Sequence, residues 1–167
     1  REKELASIVN RIKKAGYGKD FDCILGMSGG VDSSYLLYLV TKVLNLRPLV
    51  FHVDAGWNSQ IAVNNIERLV DGLGLDLYTT VIDWEDMKNL QKAYFKSGVP
   101  HIDTPQDHSF FATMYKFASK HNIKNIITGG NFSTECVRNP KEWMYFQSDS
   151  KQLRDIYKKH GGTALKR

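Results

Sequence analysis

Four short stretches of this chain are built on apolar runs, and helical sequence separates each from the next: "FDCILGM" (21–27), "RPLVFHV" (47–53), "LDLYTTVI" (75–82) and "KNIITGG" (124–130). A strand with one wet face alternates apolar and polar residues, whereas a continuous apolar run needs cover on both faces. Runs of that kind alternating with helices predict a parallel sheet. Right-handed crossovers then make it doubly wound, with helices on both faces. The expected class is therefore α/β. The 167 residues fit one domain, and no repeat, low-complexity tract or second domain interrupts the pattern.

The intervening segments carry helix signals. "REKELASIVNRIKKAG" places Leu5, Ile8, Val9 and Ile12 at helical spacing, with Gly16 to stop it. Residues 32–45 place Leu36, Leu37, Val40, Val43 and Leu44 nearly all round a helix, which predicts deep burial. Asn58 or Ser59 caps a third helix that Gly74 closes. Asp83 caps a fourth, with Glu85 and Asp86 in its first turn. After the loop "KSGVPHIDTP", Thr104 and Pro105 start a helix over 105–121, and residues 148–160 form a last one ending at Gly161.

Charge narrows the partners. The net charge is +5, but residues 151–167 hold six basic side chains against one acid, while residues 1–150 balance at 17 of each sign. A basic excess confined to the last segment reads as a solvated helix face and argues against a nucleic-acid partner. No apolar run reaches the ~20 residues that span a bilayer, and no secretory signal is visible, so insertion in a membrane is not expected. Cys23 and Cys136 are the only cysteines and form no metal or disulfide pattern, which points to a reducing, cytoplasmic setting.

The stretch "GMSGGVDSSYLLYLV" (26–40) carries the chemistry. It joins the first strand to its helix, where open α/β sheets bind ligands. Glycines let the backbone approach a ligand, and successive N–H groups can form an anion nest. The helix N-terminus adds free donors and about half a positive charge, and Ser28, Ser33 and Ser34 add hydroxyls. Each hydrogen bond to a charged phosphate contributes about 1.5–3 kcal/mol. Four or five such bonds hold a polyphosphate without a lysine. Asp32 has two readings: it favours the helix's first turn, or it holds Mg²⁺ against the phosphates. Neither GxxxxGK[ST] nor GxGxxG occurs in the loop.

"SGGVDSS" in this strand–loop–helix context resembles the signature of the N-type PP-loop ATP pyrophosphatases, which have the adenine nucleotide alpha hydrolase-like, Rossmann-like fold. These enzymes cleave ATP between the α and β phosphates and transfer AMP to a substrate oxygen. "YGKDFDCILGMSGGVDSSYLLYLV", "HVDAGWNSQIAVNNIERLVDGLGLDLYTTVIDWEDMKNLQKAYFKSGVPHIDTPQDH" and "ITGGNFSTE" together resemble the N-acetyl sugar amidotransferases of lipopolysaccharide and O-antigen biosynthesis, of the WbpG type. That resemblance implies an enzyme that uses ATP, Mg²⁺ and ammonia from a partner glutaminase to turn the acetamido group of a sugar, such as a UDP-linked one, into an acetamidino group. Members of that family typically carry a cysteine-rich segment ahead of the opening helix and continue further at the other end, so the chain is expected to be part of a longer protein. A tRNA-modifying PP-loop enzyme, a 2-thiouridylase or lysidine-synthetase type, is the alternative. Thiolation needs a catalytic cysteine, usually a pair, and Cys23 lies inside a strand.

The resemblance also implies roles. Ser28, Gly29, Gly30, Asp32, Ser33 and Ser34 match the phosphate loop. Val53, Asp54 and Gly56 follow the second strand, where such domains place adenine. Trp57 stacks on a base or sugar, or packs over its own loop. Gly129, Gly130 and Asn131 match a second nucleotide-facing loop, and Glu135 stands where relatives carry an acid for Mg²⁺, unless it is a surface carboxylate. Asp32, Ser33, His108 and Asn131 are the candidate catalytic residues. Asp107 completes a capping box with Thr104 or faces the site. Gln106 and His108 are expected to face one loop region and contact the sugar or manage a proton, a structural histidine being the other reading. Arg138 and Lys141 are candidates for a diphosphate.

Overall fold

The computed structural model describes residues 1–130 and 148–162. In chain order these form α1 (Glu2–Ala15), β1 (Cys23–Gly26), α2 (Val31–Tyr38), β2 (Pro48–Asp54), α3 (Gln60–Leu73), β3 (Leu77–Val81), α4 (Trp84–Ser97), α5 (Thr104–Lys120), β4 (Ile126–Ile127) and α6 (Ser150–His160). The strands pair in parallel in the order β3-β2-β1-β4. The chain thus builds outward from β1 to β3, then returns past β1 to lay down β4. Crossovers of one hand in opposite directions place their helices on opposite faces. One core joins α1, α2 and α3 to Leu25 and Val50, and the other joins α5 to Ile24, Leu49 and Phe51. The doubly wound sheet expected from the sequence is what forms.

Local signals set most helix ends. The Ser59 hydroxyl accepts from the Ala62 N–H at 3.2 Å and Asp83 accepts from Asp86 N–H at 3.1 Å, each satisfying a first-turn donor. Gly74 closes α3 in the left-handed region, at φ 66°. In α6, Ile156, Leu153 and Tyr157 pack with Leu90 and Tyr94 of α4, while Lys151, Arg154, Lys158 and Lys159 are exposed.

Three expectations need correction. The helix expected over 32–45 is regular only to Tyr38; Leu39–Val43 widens into a π turn, with Leu44 N–H donating to Leu39 O. Thr41 Oγ1 donates to Leu37 O at 2.8 Å, and this competing side-chain bond sits where the ladder loosens. The helix is also not buried all round, because Tyr35 is 61% and Val43 55% exposed. Finally, β3 and β4 are less buried than continuous apolar runs suggest. They are the edges of the described sheet, and β4 pairs over two residues before Thr128–Gly130 leave it.

A polar latch joins α1's end to the start of β2. Asp22 is buried and accepts from Arg47 at its backbone N–H (2.9 Å), Nε (3.2 Å) and Nη2 (2.7 Å), while Arg47 Nη1 and Nη2 donate to Lys19 O and Gly16 O. Burial alone would raise the Asp22 carboxyl; the hydrogen bonds from Arg47 and the charges of Arg47 and Lys13 outweigh it and hold it below its ordinary 3.8. A depressed folded-state value means that the latch stabilises fully above the unfolded carboxylate range and loses its contribution as pH falls through the folded value. Asp22→Asn should cost about 1–2 kcal/mol at neutral pH, the half-exposed Arg47 being partly screened. Denaturant melts at pH 7 and pH 3 check this: the gap between wild type and variant should narrow at the lower pH, and a pH-independent gap would refute the assignment.

Candidate functional site

β1 ends at Gly26, and residues 27–30 turn the chain into α2. Because β1 lies between β2 and β4, a crevice opens at the carboxyl ends of β1 and β4, with α2 on one face of the sheet and α5 on the other. It is a cleft of ≈ 530 Å³ whose lining includes Gly26, Ser28, Asp107, Phe110, Gly129 and Gly130. The loop after β1, the loop after β4 and the first turns of α5 therefore share one cavity.

The two loop glycines do different work. Gly29 has φ +76°, and a Cβ there would lie 2.4 Å from the Ala62 carbonyl oxygen of α3. Its bare side is packed on a helix, and Asn65 Nδ2 clamps it by donating to Gly29 O at 3.2 Å. Gly30 is extended, at φ −79°, and is the N-cap of α2, with no side chain to satisfy the first-turn donors. The N–H groups of Val31, Asp32 and Ser33 thus have no intrahelical acceptor. A short hydroxyl chain holds the loop's shape: Gly30 N–H donates to Ser28 Oγ (3.4 Å), Ser28 Oγ lies 3.0 Å from Ser33 Oγ, and Ser33 Oγ donates to Gly30 O (3.2 Å). The second loop crosses close by, since a Cβ on Gly129 would lie 3.4 Å from Ser33 N.

The residues at the end of β2 and just after it mostly serve the core and their own loop. The Val53 side chain is buried in the α5-side core. Asp54 Oδ1 accepts from Gly56 N–H at 2.9 Å, an Asx turn. Gly56 is at φ +85°, and a Cβ there would meet the Trp84 ring at 2.4 Å. Trp57 meets Trp84 edge-on at 5.0 Å and stays 50% exposed.

Gln106 and His108 do not face one region. The cleft takes Asp107, Phe110, Phe111 and Met114 from α5, so it is Asp107 that looks into the cavity. Gln106 lines a separate hollow, and His108, half-buried on the next face round, lines neither. The capping box expected between Thr104 and Asp107 does not form: the N-cap is Asp103, which makes no side-chain cap bond and whose carbonyl accepts from Gln106 and Asp107 N–H, while Thr104 is already helical and buried. Burial raises the Asp107 carboxyl above its ordinary range and Asp103's charge adds to this, with His108 and His101 pulling the other way.

Two residues not singled out from the sequence support the loops. His52 is buried; its Nδ1 lies 2.8 Å from Met27 O and so carries the proton, leaving Nε2 to accept from Asn58 Nδ2 at 3.0 Å. It ties the loop after β1 to the loop after β2, and its sequence signal was a polar ring inside an apolar run. Asn65 is the other, signalled by the asparagine pair 64–65 in the middle of a helix, where asparagine is a poor former.

Asp32 is exposed on the first turn of α2. Among the described residues no group of three or more His, Cys, Asp or Glu side chains could hold a metal ion, and no helix is long and apolar enough to cross a membrane. Asn131, Glu135, Cys136, Arg138 and Lys141 lie outside the described residues.

Comparison with known proteins agrees with this geometry. Residues 22–129 match the family model described as phosphoadenosine phosphosulfate reductase domain. The chain is 30% identical over 132 residues to a glutamine-hydrolysing GMP synthase of Thermosipho africanus, covering 72% of this chain and 24% of the relative. It is also 30% identical over 122 residues to the tRNA-specific 2-thiouridylase MnmA 2 of Fusobacterium nucleatum, covering 67% and 34%. The chain thus spans about a quarter to a third of the length of the curated relatives it matches. Among solved structures it is similar to the NH3-dependent NAD synthetase of Campylobacter jejuni (TM-score 0.57, 16% identity, 78% of this chain and 56% of that one). It is also similar to the glutamine-dependent NAD+ synthetase of Acinetobacter baumannii in complex with adenosine diphosphate (TM-score 0.60, 20% identity, 77% and 25%). These likenesses fix the fold as that of the adenine nucleotide alpha hydrolases.

Proposed function

Because the chain belongs to the phosphoadenosine phosphosulfate reductase domain family, within the PP-loop superfamily, we propose that it uses ATP to adenylate an amide oxygen of an N-acetyl sugar and lets ammonia displace AMP. The observation that carries the reading is the loop 27–30: backbone donors at an uncapped helix N-terminus, closed over by a second glycine loop, at the switch point of the sheet. The adenosine diphosphate bound by the Acinetobacter baumannii structure supports a nucleotide as the kind of ligand this chain takes.

The chemistry follows from what the residues offer. An amide carbonyl is a poor electrophile, and joining its oxygen to the α-phosphate makes that oxygen a leaving group. The bond between the α and β phosphates breaks as the new P–O bond forms, and pyrophosphate leaves. The N–H groups of Val31, Asp32 and Ser33 are placed to hold it, in a loop whose shape the Ser28 and Ser33 hydroxyls keep. Ammonia, supplied by a partner glutaminase, then adds to the carbon; AMP departs and an acetamidino group remains. Asp32, exposed beside those donors, would be the carboxylate that holds a Mg²⁺ against the phosphates. That ion would supply charge neutralisation at the pyrophosphate. The rest of the catalysis is positioning.

The tRNA reading is supported by the likeness to MnmA 2, but its usual cysteine pair is not served by Cys23. That thiol is fully buried in β1, and burial, with Asp22's charge, pushes it up to about 12. In a Cys136→Ser variant, thiol titration at pH 8 should find Cys23 unreactive until the protein is unfolded; rapid labelling of the native protein would reopen thiolation.

The full-length protein, given ATP, Mg²⁺, ammonia and UDP-linked diacetamido sugars, should release AMP and pyrophosphate in step with an amidine product. Release of ADP and phosphate would overturn the reading.

A further inference from the structure

Beside the cleft, a hollow of ≈ 250 Å³ is lined by Trp57, Gln91, Phe95, Ile102, Asp103 and Gln106. We infer that this hollow seats the acceptor, an uncharged pyranose ring bearing a secondary amide; the inference rests on the adenylation reading above.

Four observations carry it. First, Trp57, Phe95 and Ile102 are 50%, 59% and 38% exposed in one place. Three large apolar side chains around a concavity are what the apolar face of a sugar ring and an acetyl methyl can cover. Second, Trp57 is held in advance. The left-handed Gly56 lets Trp84 pack against the backbone, and Trp84 fixes Trp57 edge-on. Third, two carboxamides line the hollow. Gln91 is 7% exposed, and its Nε2 donates to Ile102 O at 2.5 Å. That bond fixes its amide plane and leaves its carbonyl oxygen to accept. Gln106 lines the same hollow from the first turn of α5 and is exposed. A carboxamide donates and accepts at once, as the N–H and C=O of an acetamido group require. Fourth, among the described residues Asp103 is the one charged side chain that lines the hollow, and no cation does. Among those residues a phosphate backbone or a free polyphosphate finds no counter-charge, whereas a neutral polar ring does not need one.

The position suits transfer. Gln106 lines the hollow and its neighbour Asp107 lines the phosphate cleft, so the two cavities flank the first turn of α5. An amide held in the hollow is presented toward the α-phosphate over that turn.

Calorimetry on the full-length protein tests this with α,β-methylene-ATP first and then N-acetylglucosamine, glucosamine and uridine as probes. N-acetylglucosamine should bind to the nucleotide-loaded protein at least tenfold more tightly than glucosamine or uridine. Phe95→Ala and Gln106→Ala, both at exposed positions, should each weaken it tenfold or more without lowering the melting temperature. Binding of the ATP analogue with no preference for N-acetylglucosamine, or with a preference that both variants retain, overturns the acceptor assignment and leaves the nucleotide reading standing. Failure to bind the ATP analogue overturns both.

Discussion

Gly29→Ala should destabilise the protein by about 2–5 kcal/mol and remove nucleotide binding, while Gly30→Ala should leave stability nearly unchanged. Alanine in the left-handed region costs about 1–2 kcal/mol, and overpacking adds about 1–3 kcal/mol. Both apply at Gly29, where φ is +76° and the obstacle is the α3 backbone at Ala62, which no side-chain rotation relieves. If the loop yields instead, it swings off α3 and loses the Asn65 clamp, so the donors at the start of α2 are no longer aimed together. At Gly30 φ is −79° and the nearest atom to a Cβ is Ser28 Oγ at 3.4 Å. Thermal melts and calorimetric titration with ATP and Mg²⁺ read both effects. Equal melting temperatures for the two variants would show that the contact with α3 does not hold the loop.

Phe51→Ala should cost about 3–5 kcal/mol, which for a chain this size lowers the melting temperature by roughly 6–20 °C. Phe51 is fully buried at the centre of β2 and packs on Phe110 at 5.0 Å and Phe117 at 6.1 Å between ring centroids. Phe110 lines the cleft and lies against Gly26, where a Cβ would be 2.5 Å from its ring. Emptying the Phe51 site therefore removes the support under the wall of the cleft as well as core contacts. ATP affinity should fall along with stability, and Phe51→Leu, which keeps most of the volume, should recover most of both. A fall in melting temperature of under 3 °C for the alanine variant would contradict the packing described here.

The sequence by itself determined the class of fold and marked its central loop as the candidate site. Strand-forming runs, periodic helices and caps such as Ser59, Gly74 and Asp83 are local signals, because each acts on residues within one or two turns of itself. Small residues before an uncapped helix likewise announce an anion nest without knowledge of the remaining chain. Tertiary structure alone decided the distant relations. It decided that Gly29 is bare for the sake of α3, that His52 joins two loops through Met27 and Asn58, and that Asp107 looks into the cleft while Gln106 and His108 look elsewhere. The physical reason is the same in each case. Which side of α5 meets the crevice depends on how that helix is rolled against Phe51 and its neighbours. Which glycine must lack a side chain depends on Ala62 of α3, 33 residues further along the chain. Neither relation leaves a periodic or local mark in the sequence.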